Sequence, residues 1–470
     1  MLRLLNLLAA CLLLAGVMGY SQPPAQWLQG MEGIAAGELT VPENHDEPGG
    51  RQIAITYAVI QSPSGDSGVP PIVFFSGGPG GNSLVPGLVG FMQNHPFLQD
   101  RDIVLFDQRG IGLSSPLPDM SFASFDVLAA NANPEEELGL TAAMISEYQE
   151  KCKRAGIRPR FYNSLQSARD VGRLFDHLGY ERYILFGGSY GTRLARIVQD
   201  MYPDRIAASI LDSPAPLSGD FLLNRLDSYS LSLGRILSYC REKEACNEQY
   251  PDLEADYLAA IAKLEKEPLQ VIFRDSLDFW VNAQDGVYLL RRLLYQDNAR
   301  EKAPELIREL QGEGGPVLRD VLDFEYELTG GLNLSMLLSV ERFENFNPGN
   351  TGEELDAAYE AYPLIPVPLG FFDAFYRAGM DWHQALLPMP ERKFEPSAVP
   401  TLLFVNRYDP VTPPANGYLF LEDLSNGHLF ILDEGGHGGG NQECKASVIR
   451  NFMRDPHTLP DTSCLNLYEE

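Results

Sequence analysis

The sequence predicts an α/β fold in which a mostly parallel β-sheet is flanked by helices and interrupted by an inserted helical domain. Short, continuous apolar runs alternate with segments of helical spacing in the first half of the chain. Helical patterns then dominate from about residue 213 to 399, and buried apolar runs return after Pro400. The 470 residues are 44% hydrophobic and 21% charged, which suffices for a core and excludes a disordered chain, a collagen and a coiled coil.

Residues 21–215 are expected to form the first part of the sheet domain. The apolar runs suit strands that are buried on both faces, and Val171, Leu174 and Phe175 share one face of a helix. Strand patterns fall at 52–60, 71–75, 102–106, 183–186 and 206–211, and helix patterns at 167–178 and 192–201.

Residues 216–395 are expected to form a helical cap, and residues 396–470 the second part of the sheet domain. The cap range contains helical patterns such as 301–310 and 353–362 and few strand signals. Strands are expected again at 401–405 and 428–432, followed by a helix at 446–453.

Residues 1–20 are expected to be a secretory signal peptide. A positive charge at Arg3 precedes an apolar run that ends near Met18 and is followed by small residues. A lipoprotein-type cleavage box ending at Cys11 is a minor alternative. Since no later stretch approaches 18 apolar residues, we expect no stable membrane insertion after the signal is removed. The mature protein is therefore expected in the periplasm or fully secreted.

Five cysteines remain after Cys11, and an exported chain permits disulfides. Cys240 and Cys246 are close enough to close one loop, and Cys444 and Cys464 could tie the C-terminal tail to the last helix. Cys152 would then be a free buried thiol. The sequence leaves this pairing open.

The net charge and the absence of metal-binding motifs limit the kinds of partner and cofactor that we expect. The net charge is -28, so the surface repels nucleic-acid phosphates and we expect no nucleic-acid partner. The chain has no Cys-x-x-Cys or His-Glu-x-x-His spacing, and we expect neither a metal nor a cofactor. The oligomeric state is left open.

The motif that carries chemistry is Gly-x-Ser-x-Gly at residues 187–191, between a predicted strand and a predicted helix. This context is typical of a nucleophile elbow, in which a tight turn exposes the serine at the head of a helix. Small residues at Gly187 and Gly191 let the strand and the helix approach each other. Ser189 is therefore the candidate nucleophile.

A serine nucleophile needs a base, and the base needs a carboxylate that orients it. Asp409 directly follows the strand at 401–405, and His437 lies in a glycine-rich loop after the strand at 428–432. Both positions are at carboxyl ends of strands, where active-site loops gather. His428 is a rival base, but it begins a strand, and Asp433 is a rival acid on the histidine's own loop.

Acyl transfer also needs donors for the developing oxyanion. One candidate is the N–H of Tyr190, directly after the nucleophile. The other is a backbone N–H of the glycine-rich loop after the strand at 71–75, with Gly77 or Gly78 as the candidate.

These strings resemble the prolyl aminopeptidases and exported tripeptidyl aminopeptidases, a family with the α/β-hydrolase fold. The matching segments are Gly-Gly-Pro-Gly at 77–80, Asp-Gln-Arg-Gly-Ile-Gly-Leu-Ser at 107–114, the elbow, Asp-Pro-Val-Thr-Pro-Pro at 409–414 and Gly-His-Gly at 436–438. The family's usual histidine before the first glycines is Ser76 here. The resemblance implies that Arg109 fixes its own loop and does not touch substrate.

The resemblance implies a serine exopeptidase that releases N-terminal residues, Pro or a tripeptide, from peptides with a free N-terminus. It also implies that the cap presents carboxylates to the substrate's amine, with Glu344 the first candidate and Glu341 the second. A carboxylesterase or lipase using the same triad is the alternative. A non-catalytic binding protein on this fold is a third hypothesis, which an intact triad argues against.

Overall fold

The computed structural model describes residues 26–65, 68–274, 276–350 and 352–468. The expected signal peptide, residues 1–20, lies outside the described residues. The strands β1 to β10 are, in chain order, Ile34–Pro42, Gln52–Ile60, Ile72–Phe75, Ile103–Phe106, Tyr183–Gly188, Ile206–Asp212, Leu269–Phe273, Leu277–Val281, Thr401–Asn406 and Gly427–Leu432.

The helices are labelled in the same way from the amino terminus. Helices α1 to α17 are Gln26–Gln29, Pro86–Gln93, Ser121–Leu128, Pro134–Arg154, Ser164–Leu178, Tyr190–Met201, Phe221–Glu242, Glu244–Gln249, Leu253–Leu264, Ala283–Leu293, Ala299–Gln311, Pro316–Gly330, Leu334–Glu344, Gly352–Tyr359, Gly370–Gly379, Pro414–Glu422 and Gln442–Arg454. Short 3₁₀ turns lie at Pro96–Gln99, Pro159–Phe161, Pro203–Arg205 and Met389–Glu391.

Eight strands form one sheet in the order β1-β2-β4-β3-β5-β6-β9-β10. Within this sheet, β4, β3, β5, β6, β9 and β10 are parallel to one another. Strands β1 and β2 form an antiparallel edge. Every residue of β4 and β9 is buried, as expected of strands covered on both faces. The α/β-hydrolase fold expected from the sequence is confirmed.

Strand β1 is absent from the sequence prediction. It pairs with β2 along its whole length, but its residues are mostly half-buried or exposed. Gly37, Glu38 and Thr40 interrupt its apolar pattern, so the sequence carries only a weak strand signal there.

The register of the sheet gathers the ends of the central strands at one edge. Gly188 at the end of β5 pairs with Asp212 at the end of β6, and Asp212 pairs with Phe404 in β9. Leu432 at the end of β10 pairs with Asn406 at the end of β9. The loops that follow these strands therefore emerge side by side, which is where open α/β sheets build their sites.

A helical layer covers this edge of the sheet, and it contains a small hairpin that the sequence prediction missed. Strands β7 and β8 pair antiparallel, with Phe273 opposite Leu277 and Arg274 at a φ of 48° in the turn. The prediction of mostly helical structure between residues 213 and 399 holds for the rest of the described segment.

The helical layer is built from two stretches of the chain. Helices α3 and α4, which precede the elbow, share one buried apolar cluster with helices between β6 and β9, and α4 packs on α15. Asn133 caps α4 through a capping box with Glu136, and Pro134 occupies its first turn. The cap boundaries at residues 216 and 395 remain a prediction, and the cluster extends beyond them.

Two disulfides join the cysteine pairs that the sequence suggested. Cys240 bonds to Cys246 and Cys444 bonds to Cys464, while Cys152 is a free buried thiol. Burial raises the pKa of Cys152 to about 11, so this thiol is unreactive at neutral pH. Within the described ranges, no helix combines the length and apolarity needed to cross a bilayer.

Removing the Cys444–Cys464 disulfide should cost more stability than removing Cys240–Cys246. The two bonds close loops with sequence separations of 20 and 6 residues. Loop-closure entropy then gives about 3 kcal/mol for the longer loop and about 2 kcal/mol for the shorter. Urea unfolding of the two Cys→Ala double variants measures both values. Equal or reversed losses would contradict this assignment of their stabilising roles.

Candidate active site

The predicted elbow is a strained turn between β5 and α6. Ser189 has a φ of 53° and a ψ of -126°, and its N–H donates to the carbonyl of Asp212 at 2.9 Å. A Cβ at Gly191 would lie 2.0 Å from the carbonyl oxygen of Phe75, and a Cβ at Gly187 would lie 2.5 Å from the carbonyl oxygen of Gly191. Only glycine permits this close approach of strand and helix.

The loops after β9 and β10 bring Asp409 and His437 together. Nδ1 of His437 lies 2.8 Å from Oδ2 of Asp409, which is fully buried. Asp409 also accepts hydrogen bonds from the N–H groups of Val411 and Thr412 and from the Thr412 hydroxyl. These bonds fix the carboxylate and leave Nε2 of His437 as the nitrogen available to a hydroxyl.

The rival residues lie elsewhere. His428 is exposed at the amino end of β10, and Asp433 pairs with Arg407 at 2.8 Å. Neither lines the cavities beside Ser189. The geometry therefore favours Asp409 and His437 over both rivals.

Pairing lowers the pKa of the Asp409 carboxyl and raises the pKa of the His437 imidazole. Burial opposes ionisation of Asp409, but the imidazole of His437 and the bonds from Thr412 outweigh burial and lower the pKa of the carboxyl. Burial by itself lowers the pKa of His437, and the charge of Asp409 outweighs it and raises that pKa. The arrangement thus stabilises an imidazolium, the form that a general base acquires when it accepts a proton.

Ser189 and His437 line two adjoining cavities. The core cavity, of about 880 Å³, lies against the sheet and has a mainly apolar wall that includes Phe74, Leu88 and Phe324. The cap cavity, of about 790 Å³, lies under the helical layer. Its polar and charged wall residues are Ser124, Arg225, Tyr288, Arg292, Tyr295, Glu325 and Thr329, beside Gly78, Ser189 and His437. Two chambers that meet at Ser189 suit a ligand that extends to both sides of this residue.

The predicted oxyanion residues adjoin the nucleophile. A Cβ at Gly77 would lie 3.1 Å from Cβ of Ser189, so the backbone of this loop approaches the serine directly. Gly78 has a φ of 121° and lines the cap cavity. Tyr190 is the first residue of α6, so its N–H stands at the helix amino terminus, while its phenol bonds to the Ser164 hydroxyl away from the site.

The two predicted amine-binding carboxylates do not line either cavity. Glu344 is fully buried and bonds to the N–H and hydroxyl of Ser164 and to Nη1 of Arg193 at 3.0 Å. Glu341 lies 3.6 Å from the same Arg193 atom. Both carboxylates face an internal guanidinium, and their assignment to the substrate's amine remains an untested prediction.

The residues that the sequence analysis missed come from the helical layer. Arg225 on α7, Arg292 on α10, Tyr295 just after α10 and Glu325 on α12 all line the cap cavity. Burial by itself raises the pKa of Tyr295. This effect is outweighed by the nearby positive groups, which lower the pKa to about 8; they are the guanidinium groups of Arg291, Arg292 and Arg225 and the ring of His437. No sequence motif marks these residues, because they lie on separate helices.

Side chains of the Asp-Gln-Arg-Gly segment hold together the loops near the site. Asp107 is fully buried and accepts hydrogen bonds from the N–H groups of Ser83, Leu84 and Leu113. Arg109 makes a two-pronged ion pair with Asp170, with both N–O distances at 2.7 Å. Both side chains tie loops together and face away from the cavities, as expected for Arg109.

Two family models match the chain. A model described as the alpha/beta hydrolase fold matches residues 70–248, and a model described as TAP-like protein matches residues 374–464. The first range contains the Gly77–Gly78 loop and Ser189, and the second contains Asp409 and His437.

The chain is similar to several curated proteins, among them the following three. The tripeptidyl aminopeptidase of Streptomyces lividans is 29% identical over 202 residues, which cover 40% of this chain and only 36% of that enzyme. The serine protease Hip1 of Mycobacterium tuberculosis is 27% identical over 432 residues, covering 85% of this chain and 81% of that protein. The proline iminopeptidase of Arabidopsis thaliana is 24% identical over 264 residues, covering 52% of this chain and 56% of that enzyme.

Gly191→Ala should disrupt the elbow. The new methyl group meets the backbone of Phe75, which cannot move without shifting β3. We expect a stability loss of about 3 kcal/mol and a loss of esterase activity in the folded fraction. The matched control is Gly90→Ala in α2, where a Cβ meets nothing within 4 Å and stability should rise by up to about 1 kcal/mol. Thermal unfolding and ester turnover are measured for both variants. Equal stability and equal turnover in the two variants would refute the prediction.

The raised pKa of His437 should be visible in the pH profile. Catalysis needs the neutral imidazole, so kcat/KM should fall as the pH drops through a pKa above the ordinary value of about 6.5. Asp409→Asn removes the charge that raises this pKa, so the acidic limb should move to lower pH while the rate falls by about 10⁴-fold. In Asp433→Asn, the control, the limb should stay in place. An unmoved limb in Asp409→Asn would contradict the assigned pair.

Proposed function

Because the chain belongs to the α/β hydrolases and is related to tripeptidyl aminopeptidases and proline iminopeptidases, we propose that it is a serine exopeptidase. It releases N-terminal residues, Pro or a tripeptide, from peptides with a free N-terminus through an acyl-enzyme. The observation that carries the proposal is the Asp409–His437 pair beside the two cavities that meet at Ser189.

In this proposal Ser189 Oγ attacks the scissile carbonyl carbon and Nε2 of His437 accepts the hydroxyl proton. Asp409 orients the ring through Nδ1 and stabilises the imidazolium. The N–H of Tyr190 and an N–H of the Gly77–Gly78 loop stabilise the oxyanion. The imidazolium then protonates the leaving amine, and the acyl-enzyme forms. A water molecule, deprotonated by the neutral His437, hydrolyses the ester and restores Ser189.

The substrate's ammonium needs a carboxylate in one of the two cavities. Two carboxylates of the described residues line them, and each has a cation partner. Glu325 in the cap cavity lies 2.5 Å from Nε of Arg292, and Asp212 in the core cavity lies 2.5 Å from Nζ of Lys445. One oxygen of Asp212 is buried without a hydrogen-bond partner. An ammonium bound at either site would share an existing ion pair.

A carboxylesterase using the same triad is the second candidate. The apolar wall of the core cavity, with Phe74, Leu88 and Phe324, would accept the acyl chain of an ester as readily as an apolar side chain. The relatives are named as peptidases, which favours peptides as the substrates of this chain. The apolar wall by itself does not distinguish a peptide from an ester.

We also propose that the enzyme acts outside the cytoplasm, in the periplasm or after full secretion. The two disulfides support this location, because structural disulfides persist in oxidising compartments.

The mature protein should cleave chromogenic amides of Pro, Ala and Ala-Ala-Pro only when the N-terminus is free. Acetylation removes the ammonium and leaves the carboxylate that receives it with one partner fewer, so cleavage of the blocked substrates should be at least about 100-fold slower. Ser189→Ala should abolish all turnover. The fastest free substrate gives the number of residues released per cut.

The same panel, extended with short p-nitrophenyl esters, separates the two candidates. Ester turnover without amide cleavage would refute the exopeptidase and leave the triad intact. Equal cleavage of free and acetylated amides would refute recognition of the N-terminus. Activity that survives in Ser189→Ala would refute the nucleophile.

A further inference from the structure

Among the described residues that line the cap cavity, one cation has no carboxylate partner within 4.0 Å. Of the charged side chains in its wall, Arg292 and Glu325 pair with each other. The third, Arg225, has no carboxylate within 4.0 Å in the described part of the chain. A buried charge is normally paired, because burial without a partner is costly. A guanidinium without a carboxylate partner in the same cavity as Ser189 therefore suits a partner supplied by the substrate.

The guanidinium of Arg225 is held in place but not satisfied. Nη1 donates to the carbonyl of Phe221 at 2.8 Å, and Nε is buried without a hydrogen-bond partner. The group stacks at 3.5 Å from the centre of the Phe221 ring and at 4.9 Å from that of Phe372. Aromatic stacking fixes the plane of the guanidinium, and its Nε edge has no hydrogen-bond partner among the described residues.

The surroundings of Arg225 add positive charge. Arg291, fully buried, donates to the carbonyl of Pro410 and to the hydroxyl of Tyr295 and makes no ion pair in the described chain. The lowered pKa of Tyr295 reports the same field, since three guanidinium groups favour its phenolate. Glu341 faces Arg225 from α13 and raises its pKa, but burial outweighs this and lowers the pKa to about 10. Arg225 is still charged at neutral pH.

Glu341 does not neutralise this field. It shares Arg193 with Glu344, at 3.6 Å and 3.0 Å, and lies more than 4.0 Å from Arg225. The four arginines of this region, Arg193, Arg225, Arg291 and Arg292, therefore face three carboxylates, Glu325, Glu341 and Glu344.

We propose that Arg225 is a specificity-determining residue that binds a carboxylate group of the substrate in the cap cavity, next to Ser189. The inference rests on the proposed peptidase function and specifies its substrate class. A planar guanidinium with a free edge matches a carboxylate in two-pronged geometry. The carboxylate can be the side chain of an acidic residue or the C-terminus of a short peptide, and the two sources differ in where they lie relative to the scissile bond.

Two matched substrate pairs test the proposal and separate the sources. The first pair is a free-N-terminal peptide p-nitroanilide with Glu or Gln before the scissile bond. The second is a short peptide with a C-terminal acid or amide. The wild-type enzyme should prefer the acidic member of one pair by about 10- to 100-fold in kcat/KM, mainly through KM. The pair that shows the preference identifies the source.

Arg225→Gln should remove that preference, lowering kcat/KM far more for the acidic member than for the neutral one. Arg225→Lys should restore part of it, because the charge is kept and the fork is lost. Arg241→Gln, an exposed position on the same helix, is the matched control and should keep the wild-type preference. Equal losses for both members in a folded Arg225→Gln protein would overturn the proposal.

Wild-type ratios decide the question if Arg225→Gln fails to fold, since an enzyme indifferent in both pairs would also overturn it. If esters are hydrolysed but no peptide is, the exopeptidase function fails and the carboxylate site is tested separately. Stronger competitive inhibition of p-nitrophenyl acetate hydrolysis by N-acetylglutamate than by N-acetylglutamine, lost in Arg225→Gln, would then support the site. Equal inhibition would refute it.

Discussion

The contact between Gly191 and strand β3 sets the geometry of the whole site. Because no side chain separates α6 from the carbonyl of Phe75, the helix begins directly against the sheet and Ser189 is forced to a positive φ. The hydrogen bond from the Ser189 N–H to Asp212 locks this turn to β6. The loop after β3 then lies against the serine, so one backbone contact positions Ser189, the helix amino terminus and Gly77 together.

The helical layer does more than cover the site, because it contacts the loops that carry Asp409 and His437. Ser232 and Arg235 of α7 donate hydrogen bonds to the carbonyls of Tyr408 and Arg407, the two residues that precede Asp409. The N–H of His437 donates to the carbonyl of Tyr295 at 3.0 Å. The positions of Asp409 and His437 thus depend on contacts with the helical layer as well as on the sheet.

Buried charge divides the molecule into a structural and a functional part. Arg109 with Asp170, and Arg193 with Glu344 and Glu341, are closed ion pairs whose partners are all internal. Such pairs tie loops and helices together without needing a ligand. Asp409 and His437 pair with each other beside the cavities, and Arg225 has no carboxylate within 4.0 Å in the described part of the chain. The proposed chemistry and the proposed recognition of substrate rest on these residues.

The sequence by itself determined the sheet domain and the chemistry-bearing residues. Continuous apolar runs located β3 to β6, β9 and β10 within a few residues, since a buried parallel strand leaves a local signature. Alternation along residues 52–60 located β2. Gly187, Ser189 and Gly191 predicted the elbow because its strain demands small residues at fixed spacing. The order of Asp409 and His437 after two strands was sufficient to place them at one edge of the sheet.

Only the tertiary structure decided which charges line the cavities. Glu344 ends a cap helix, but its carboxylate is directed to Arg193 and Ser164. Arg225, Tyr295 and Glu325 come from three separate segments and converge through the packing of α7, α10 and α12. A single helix fixes the spacing of its own residues but not the face that it presents to another helix. The face that each helix presents is determined by how apolar area is buried over the whole helical layer. No local sequence pattern contains this information.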